Sequence, residues 1–450
     1  MSGFVPHTEA EIEEMLAFIG LESVEELFEA VPVAIRLAGG LDIPPGMSEP
    51  DLVAALDQVA LRNTPVGNDL VCFAGAGSYD HEVPAVTRSL AGRSEFMTAY
   101  TPYQPEVAQG VLQAVFEYQT MVTRLSGLPI ANSSLYDGAN ALVEAVNMAA
   151  GVTGQSRVIL SQGVHPHWRQ VLATLGRGTG RQIELAKLVD GQTQWPAGEG
   201  DTPAAAVVVA YPNYLGCLED IAAARALADR SSALLVVCFD PVSVGLLRSP
   251  GEQGADIAVA EGQALGTPLS FGGPYLGVFS CRATHVRKLP GRLVGETVDI
   301  DGKRAYVTTL RSREQDIRRA KATSNVCTDQ TLMAVTAAIQ LGWLGTQGLR
   351  EVALRCARGT RYCREALLAS GAGEAVTSGP TFREFAVRGQ VPATELVERM
   401  AEAGFLAGVP VGAEMDGSGC EGALLVAVTE RRTRAEIDAF VAAFEKAARR

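Results

Sequence analysis

The chain has 450 residues, of which 47% are hydrophobic and 20% are charged, the balance of an ordinary globular protein. Its formal net charge is −13, which disfavours nucleic-acid binding because that function needs a basic face. No apolar stretch reaches the roughly 18 residues of a membrane helix. The acidic start lacks the features of a signal peptide, and the eight cysteines form no Cys-x-x-Cys pair. We therefore expect a cytoplasmic protein that has no metal site, no disulfide framework and no contact with membranes.

Residues 1–62 are predicted to form a helical arm. Thr8 and Ser23 are each followed three residues later by glutamate, which fits the capping box that opens many helices. Ser48 has an aspartate at the same spacing, before a third predicted helix at about 50–62. The apolar faces of these helices need another surface to pack on, so we do not expect a self-sufficient domain.

From about residue 130 the pattern changes to short apolar runs separated by helical segments. Runs of this kind are typical of parallel strands, which are buried on both faces of a sheet. Alternation of strand and helix predicts an α/β fold with a mostly parallel sheet. The apolar runs are 158–160, 206–210, 234–239, 257–260 and 275–280, and the helical segments between them are 139–150, 165–175 and 218–230.

The C-terminal part mixes helices and strands and is predicted to form a smaller α+β domain. A long helix is expected over 331–344, strands over 384–387 and 423–428, and a last amphipathic helix over 434–449. The predicted domains are the arm at 1–62, a large α/β domain at 63–330 and a small domain at 331–450.

Two side chains follow predicted strands, where ligand sites of α/β folds lie, and a third opens a predicted helix. Asp240 ends an apolar run, and such an aspartate can hold a pyridinium nitrogen or simply end a strand before a proline. His165 could stack on a ring or shuttle protons. Asp137 opens a helix, where a phosphate could bind, but its carboxylate already satisfies the helix dipole. That carboxylate favours an ordinary cap over a phosphate site.

The lysines argue against Schiff-base chemistry within this chain. An imine with pyridoxal phosphate needs a lysine, which normally lies on a loop between an apolar strand and a Gly-rich return strand. The loop that fits this description, 261–268, contains none. The five lysines lie elsewhere, at positions 187, 288, 303, 321 and 446.

Two loops and one basic run are further candidates for function. Residues 75–81 and 100–106 combine turn residues with tyrosine, acid and amide side chains, as binding loops do. Ordinary turns with surface tyrosines are the alternative. Residues 311–321 carry five cations against two anions, which could hold a carboxylate or form a solvated helix face.

Several long strings, in this order, resemble the N-terminal half of the glycine cleavage system P protein. The resemblance spans roughly residues 5–345. It rests on Gly75–His81, Thr98–Glu106, Phe116–Thr120, Ser134–Ala139, Phe271–Gly277, Gly291–Thr297, Arg313–Arg319 and Lys321–Thr328.

This resemblance implies an aminotransferase-like fold, that of the fold-type I pyridoxal-phosphate-dependent transferases. The family occurs as one long chain or as two subunits, and the cofactor lysine belongs to the second half. Gln263 stands at the matching position here, and an amide cannot form an imine. The chain would thus bind no cofactor alone, and pyridoxal phosphate would reside in a partner, subunit 2, in an α2β2 assembly.

The resemblance also implies a reaction and a set of contacts. Glycine would be decarboxylated and its aminomethyl group passed to the lipoyl arm of the H protein. This chain would supply loops to a shared site, whereas His165 and Asp240 would be structural remnants of the fold. The candidate shared-site residues are Tyr79, Asp80, His81, Tyr100, Tyr103, Gln104, Glu106, Arg292, Ser324 and Asn325.

Two other functions stay open at this point. A non-catalytic scaffold on the same fold would leave the activity of a partner unchanged. A self-sufficient pyridoxal enzyme would use Lys288 or Lys321 and would bind the cofactor by itself.

Overall fold

The computed structural model of the chain describes residues 6–37, 39, 41–67, 69–97, 102–196 and 202–449. The chain divides into two compact units, Met1–Thr64 and Pro65–Arg450. The first unit contains the predicted arm, and the second contains the predicted sheet and C-terminal elements. The domain boundaries at residues 62 and 330 remain a proposal.

In its described residues the arm has two α-helices, both with the predicted caps. Helix α1 (Glu9–Ile19) opens with a complete capping box, in which Thr8 accepts from the backbone N–H of Glu11 and the Glu11 carboxylate accepts from that of Thr8. Helix α2 (Glu49–Ala60) opens at Ser48, whose hydroxyl accepts from the third residue along. Each cap satisfies amides that the first helical turn leaves unpaired.

The predicted second helix of the arm forms only as a short 3-10 helix, Val24–Phe28. The hydroxyl of Ser23 makes no capping bond to the backbone and donates instead to the Glu26 carboxylate at 3.2 Å. Pro32 follows closely, and the residue before a proline is driven out of the α region. The stretch is therefore too short for a stable α-helix.

The second unit has strands and helices in alternation. Its strands are β1 (Val71–Cys72), β2 (Ile130–Ala131), β3 (Arg157–Ser161), β4 (Gln182–Ala186), β5 (Leu188–Val189), β6 (Gln192–Thr193), β7 (Ala206–Tyr211), β8 (Leu234–Phe239), β9 (Ile257–Glu261), β10 (Gly277–Cys281), β11 (Val294–Val298), β12 (Arg304–Thr308), β13 (Glu374–Ala375), β14 (Glu384–Arg388), β15 (Phe405–Leu406), β16 (Val409–Pro410) and β17 (Leu424–Ala427). Its helices are α3 (Ala85–Ala91), α4 (Ser94–Met97), α5 (Gln109–Ser126), α6 (Gly138–Thr153), α7 (Pro166–Gly178), α8 (Ile221–Arg230), α9 (Gln315–Arg318), α10 (Thr331–Ala369), α11 (Ala393–Glu402) and α12 (Arg434–Ala447).

A seven-stranded sheet, in the order β2-β10-β9-β8-β7-β3-β4, forms the centre of this unit. Strands β9, β8, β7, β3 and β4 are parallel, and β10 runs antiparallel between β9 and β2. Val207 and Val209 of β7 pack with α5, α8 and the start of α10 on one face. Val208 packs with α6 and α7 on the other face. The result is a three-layer α/β arrangement, which confirms the predicted fold class.

The C-terminal elements form a second core around the antiparallel sheet β13-β14-β17-β16. Helices α11 and α12 pack on it with the end of α10. The long helix predicted to end at residue 344 instead continues to Ala369, across one non-helical residue, Gly345. Because glycine adopts positive φ without steric cost, the chain bends there and resumes its helix at once.

Candidate functional site

Polar side chains meet at the carboxyl edge of the parallel strands, where open α/β sheets bind ligands. His165 follows β3, Asp240 follows β8 and Gln263 follows β9. His165 and Asp240 line a cavity of about 90 Å³. The cavity is lined by Gly77, Tyr79, His165, Trp168, Ala210, Pro212, Asn213, Tyr214, Gly216, Cys238, Phe239, Asp240, Pro241, Glu261, Phe382, Arg383 and Glu384.

The loop 75–81 covers His165. The imidazole Nε2 lies 2.8 Å from the carbonyl oxygen of Ala76, and Nδ1 accepts from the backbone N–H of His167 at 3.1 Å. A Cβ on Gly77 would lie 2.8 Å from the ring, so only glycine fits this approach. Burial lowers the pKa of His165 to about 4. His165 is thus a neutral ring that holds the loop.

Asp240 is paired within the chain by a buried arginine. Arg383 Nη2 lies 2.7 Å from Asp240 Oδ2, and its guanidinium lies 3.4 Å from the ring centre of Tyr79. Its Nη1 lies 2.5 Å from His81 Nε2. A guanidinium can only donate, so Nε2 accepts and the proton of His81 is on Nδ1, 2.6 Å from Glu430.

Glu384 completes this network beside Arg383. Its carboxylate accepts from the Tyr79 hydroxyl at 2.5 Å and from the backbone N–H of Ala76. Burial raises the pKa of Glu384 to about 7, although both of these hydrogen bonds act to lower it. Arg383, Glu384, Tyr79, His81, Asp240 and Glu430 are called the Arg383 network below.

Gln263, in the loop after β9, is fully hydrogen-bonded within the chain. Its side chain is 1% exposed. Its Oε1 accepts from the backbone N–H of Tyr79 at 2.9 Å, and its Nε2 donates to the carbonyls of Tyr79 and Thr267 at 3.1 and 2.7 Å. The amide therefore fastens loop 75–81 to the strand edge.

Two carboxylates occupy the start of α6, the place where a phosphate would bind. Asp137 accepts from the backbone N–H of Asn140 at 2.7 Å, and Glu261 accepts from that of Gly138 at 2.9 Å. Burial raises the pKa of Glu261 to about 7. A Cβ on Gly138 would lie 2.2 Å from the ring of Trp168, so the space above this helix end is filled.

These residues do not fit pyridoxal phosphate. The described residues that line the cavity include no lysine. The cavity, about 90 Å³, is smaller than the roughly 150 Å³ that holds a bare benzene ring. Arg383 pairs with the acid that would face a pyridinium, Asp137 would repel a phosphate, and Glu261 already takes the backbone N–H of Gly138. Loop 75–81 covers the histidine on which a ring would stack.

A second group of predicted residues surrounds a smaller pocket of about 50 Å³, called the Arg292 pocket below. Arg292 is buried, and its Nη2 donates to the Tyr103 hydroxyl at 2.8 Å and to the Cys327 carbonyl at 2.6 Å. Its Nη1 lies 3.3 Å from Glu314, and its guanidinium lies 4.4 Å from the ring centre of Tyr103. The pocket is lined by Tyr103, Arg292, Glu314, Gln315, Asp316, Val326 and Cys327.

The other candidates are distributed between the interior and the surface. Asp80 is paired within the chain to Arg431 and Arg432, at 2.5 and 3.2 Å. Gln104, Glu106 and Asn325 are exposed, and the hydroxyl of the half-buried Ser324 accepts from the backbone N–H of Val326. Tyr100 lies outside the described residues. The structure therefore places Tyr79 and His81 in the Arg383 network, and Tyr103 with Arg292 in the Arg292 pocket.

Comparison with known proteins identifies the family. The sequence profile of the glycine cleavage system P-protein matches residues 2–444. The probable glycine dehydrogenase (decarboxylating) subunit 1 of Moorella thermoacetica is 46% identical over 98% of both chains. The chain belongs to the glycine cleavage system P-protein family.

Solved structures agree with this assignment. A crystal structure of the glycine decarboxylase P-protein, in an inhibitor-bound form, superposes with a TM-score of 0.91, at 43% identity and over 99% of both chains. A sphingosine-1-phosphate lyase from Burkholderia pseudomallei, 17% identical over 93% of this chain and 94% of its own, shares the fold with a TM-score of 0.62. The predicted family and its aminotransferase-like fold are confirmed.

The names of the P-protein relatives bear on the predicted function as well. These relatives are named as subunit 1 of decarboxylating glycine dehydrogenase. The names favour neither a non-catalytic scaffold nor a self-sufficient pyridoxal enzyme. The designation "subunit 1" implies a partner chain in these relatives. In the described part of this P-protein chain, no helix combines the length and the hydropathy that a membrane crossing needs.

The sequence reasoning missed the residues that fill the cavity. Glu384 is the first residue of a predicted strand whose other residues are apolar, and Arg383 comes just before it. Both side chains are buried. A charged pair at the edge of a buried strand is the one signal that could have found them, because buried charges need partners. Their partners Asp240 and Tyr79 lie more than a hundred residues away in the sequence.

Proposed function

We propose that this chain is the cofactor-free subunit of a heteromeric glycine decarboxylase. Together with a second subunit that holds pyridoxal phosphate, it decarboxylates glycine and passes the aminomethyl group to the lipoyl arm of the H protein. One observation carries the division of labour: Gln263, buried and bonded three times, stands where the family resemblance expects the lysine. The names of the relatives, subunit 1 of the decarboxylating dehydrogenase, support the activity.

The contribution of this chain is then to complete a site that lies mainly in its partner. Tyr103, Gln104 and Glu106 are exposed and can reach a neighbouring chain. Arg292 is buried beside Glu314 and holds the Tyr103 hydroxyl in place, so that the exposed tyrosine can orient the carboxylate of an amino-acid substrate. Arg292 acts through Tyr103 and is therefore a positioning residue. Asp80 and His81, whose side chains are engaged within the chain, hold loop 75–81 instead.

Assembly and location complete this proposal. An α2β2 heterotetramer is the arrangement that the split form of the family implies, and a cytoplasmic location agrees with the eight described cysteines, none of which is paired. The lipoylated H protein is the proposed acceptor of the aminomethyl group.

The first experiment measures visible absorbance and borohydride labelling with added pyridoxal phosphate. We expect no imine band and no covalent label on the isolated chain, a labelled lysine on the second subunit, and glycine-dependent CO₂ release only from the mixture. A reducible imine on Lys288 or Lys321 would contradict the proposal in favour of a self-sufficient enzyme. Full activity of the second subunit alone would favour a scaffold.

The second experiment tests the Arg292 pocket in the reconstituted enzyme. Tyr103→Phe removes one hydroxyl from an exposed ring, and Arg292→Lys keeps the charge beside Glu314 but loses the forked geometry. We expect kcat/KM for glycine to fall about 10- to 100-fold in both variants, the effect of losing a charge-assisted hydrogen bond. The Tm of each isolated variant serves as the folding control. The matched substitution is Arg361→Lys, at an exposed arginine that pairs with Glu365. Unchanged kcat/KM in both variants would remove the pocket from the shared site.

A further inference from the structure

The Arg292 pocket is lined by one hydrogen-bond donor and one acceptor that have no partner among the described residues. Arg292 is 6% exposed and Glu314 is 9% exposed, so both side chains are at least nine-tenths buried. The Nε of Arg292 and the Oε1 of Glu314 each make no hydrogen bond to the described part of the chain. A buried polar atom without a partner costs free energy, and the cost is larger for a charged group. Two such atoms, on side chains that line one pocket, indicate that the pocket holds a polar occupant.

The ion pair between these two side chains leaves both atoms free. It joins Arg292 Nη1 to Glu314 Oε2 at 3.3 Å, longer than the roughly 2.7–2.9 Å of a strong charge-assisted hydrogen bond. Arg292 uses Nη2 for the Tyr103 hydroxyl and the Cys327 carbonyl, so the proton on Nε is not engaged. Burial raises the pKa of Glu314, and a second cation beside its carboxylate would lower that pKa again. The pair therefore offers a positive and a negative group to the same pocket.

The size and charge of the pocket restrict its occupant. One water needs about 10–15 Å³ of such a volume, so about 50 Å³ holds roughly three to five waters or one molecule of that size. A small anion would be repelled by Glu314, and a small cation would be repelled by Arg292. A zwitterion carries both charges and can satisfy both unpartnered atoms. Glycine, the smallest α-amino acid, is a zwitterion of this size.

We propose that the Arg292 pocket binds glycine as its zwitterion, with the carboxylate accepting from Arg292 Nε and the ammonium donating to Glu314 Oε1. The Tyr103 hydroxyl accepts from Arg292 Nη2, so its own proton is free to donate to the same carboxylate. Arg292 then contacts the amino acid itself, in addition to positioning Tyr103. These side chains all belong to this chain, so the site needs neither the cofactor nor the second subunit. The assignment rests on the proposed function, which names glycine as the substrate.

Binding of isotope-labelled glycine to the isolated full-length chain, without pyridoxal phosphate, is measured by the broadening of its NMR signal. We expect a Kd of about 1 mM, because a ligand this small makes few contacts. Acetate and methylamine each carry only one of the two charges, so they should bind at least about 10-fold more weakly than glycine. This comparison uses the wild-type chain and does not depend on the folding of a variant.

Glu314→Gln keeps the shape of the side chain and removes the charge that faces the ammonium. We expect it to raise the Kd for glycine about 10- to 100-fold, the effect of losing a charge-assisted hydrogen bond. The matched control is Glu365→Gln, at an exposed glutamate that pairs with Arg361, and it should leave the Kd unchanged. The Tm of each chain shows whether the variants are folded.

Three results would overturn the inference. No broadening at about 50 mM glycine would mean that the pocket holds only water. Acetate that binds as well as glycine would indicate a simple anion site, and a Kd that Glu314→Gln leaves unchanged would place the glycine elsewhere.

The proposed function is tested separately, by CO₂ release from the mixture of the two subunits. An active mixture whose isolated subunit 1 binds no glycine overturns the inference alone. An inactive mixture whose isolated subunit 1 binds glycine overturns the proposed function and leaves the pocket assigned.

Discussion

Replacing Arg383 by methionine is expected to lower the free energy of unfolding by about 3–5 kcal/mol, the usual cost of removing one partner from a buried ion pair. Arg383 is 4% exposed and bonds Asp240 and His81 while it stacks on Tyr79. Methionine fills much of the same volume, so the loss comes mainly from the half-buried Asp240, which keeps a backbone hydrogen bond from Val242 but loses its pairing charge. Urea denaturation monitored by circular dichroism measures the difference.

The matched control is Arg361→Met. Arg361 pairs with Glu365 one helical turn away, and both side chains are well exposed, at 79% and 62%. Such a pair contributes about 0.5 kcal/mol or less. If the two variants lost equal stability, the Arg383 network would be no more than a surface-like pair. The double variant with Asp240→Asn should recover part of the loss, because it removes the orphaned charge.

The positions of most central strands and the mostly parallel character of their sheet could be predicted from the sequence, because both faces of a parallel sheet are covered. Val207, Val208 and Val209 are all buried, two against one helix layer and one against the other, so the run has no polar positions. The signals for helix starts are equally local, since Thr8 and Ser48 cap their helices as the spacing to the next acidic residue predicts. Signals that span three or four residues were thus sufficient for these elements.

The contents of the cavity could not be predicted, because they depend on contacts between distant segments. Glu384 bonds Tyr79 across 305 residues, and Glu430 bonds His81 across 349. Nothing in loop 75–81 indicates that the side chains of Tyr79 and His81 contact Arg383, about 300 residues further along the chain. The sequence therefore predicts Tyr79, Asp80 and His81 to be residues of a binding loop. In the structure, Tyr79 and His81 belong to the Arg383 network.

The missing lysine, by contrast, was visible in the sequence, but it is only one of three differences from a cofactor site. The start of α6 holds Asp137 and Glu261 where a phosphate would need bare amides. Arg383 holds the acid that a pyridinium would need. The side chains at each of the three places make their own hydrogen bonds within the chain. A substitution that reverses one difference therefore leaves the other two in place.

Gln263→Lys is accordingly expected to restore no cofactor binding. After treatment with pyridoxal phosphate and borohydride, the wild-type chain, which has no lysine in loop 261–268, and the variant should both remain unlabelled. The new amine would lie where Gln263 is 1% exposed, and burial of a lysine shifts its pKa down by up to 3–5 units. Together with the lost bonds to Tyr79 and Thr267, this should lower the free energy of unfolding by about 3–5 kcal/mol.

Gln263→Met separates the two contributions to this loss. Methionine has nearly the volume of glutamine and no amide, so it loses the three hydrogen bonds without adding a charge, and we expect a cost of about 1–3 kcal/mol. Absorbance, mass spectrometry after borohydride and urea denaturation of the three proteins measure these differences. A covalent label at position 263 would mean that the cavity opens to admit the ring. In that case Gln263 alone would prevent cofactor binding. The Arg383 network and the carboxylates at the start of α6 would not contribute to its exclusion.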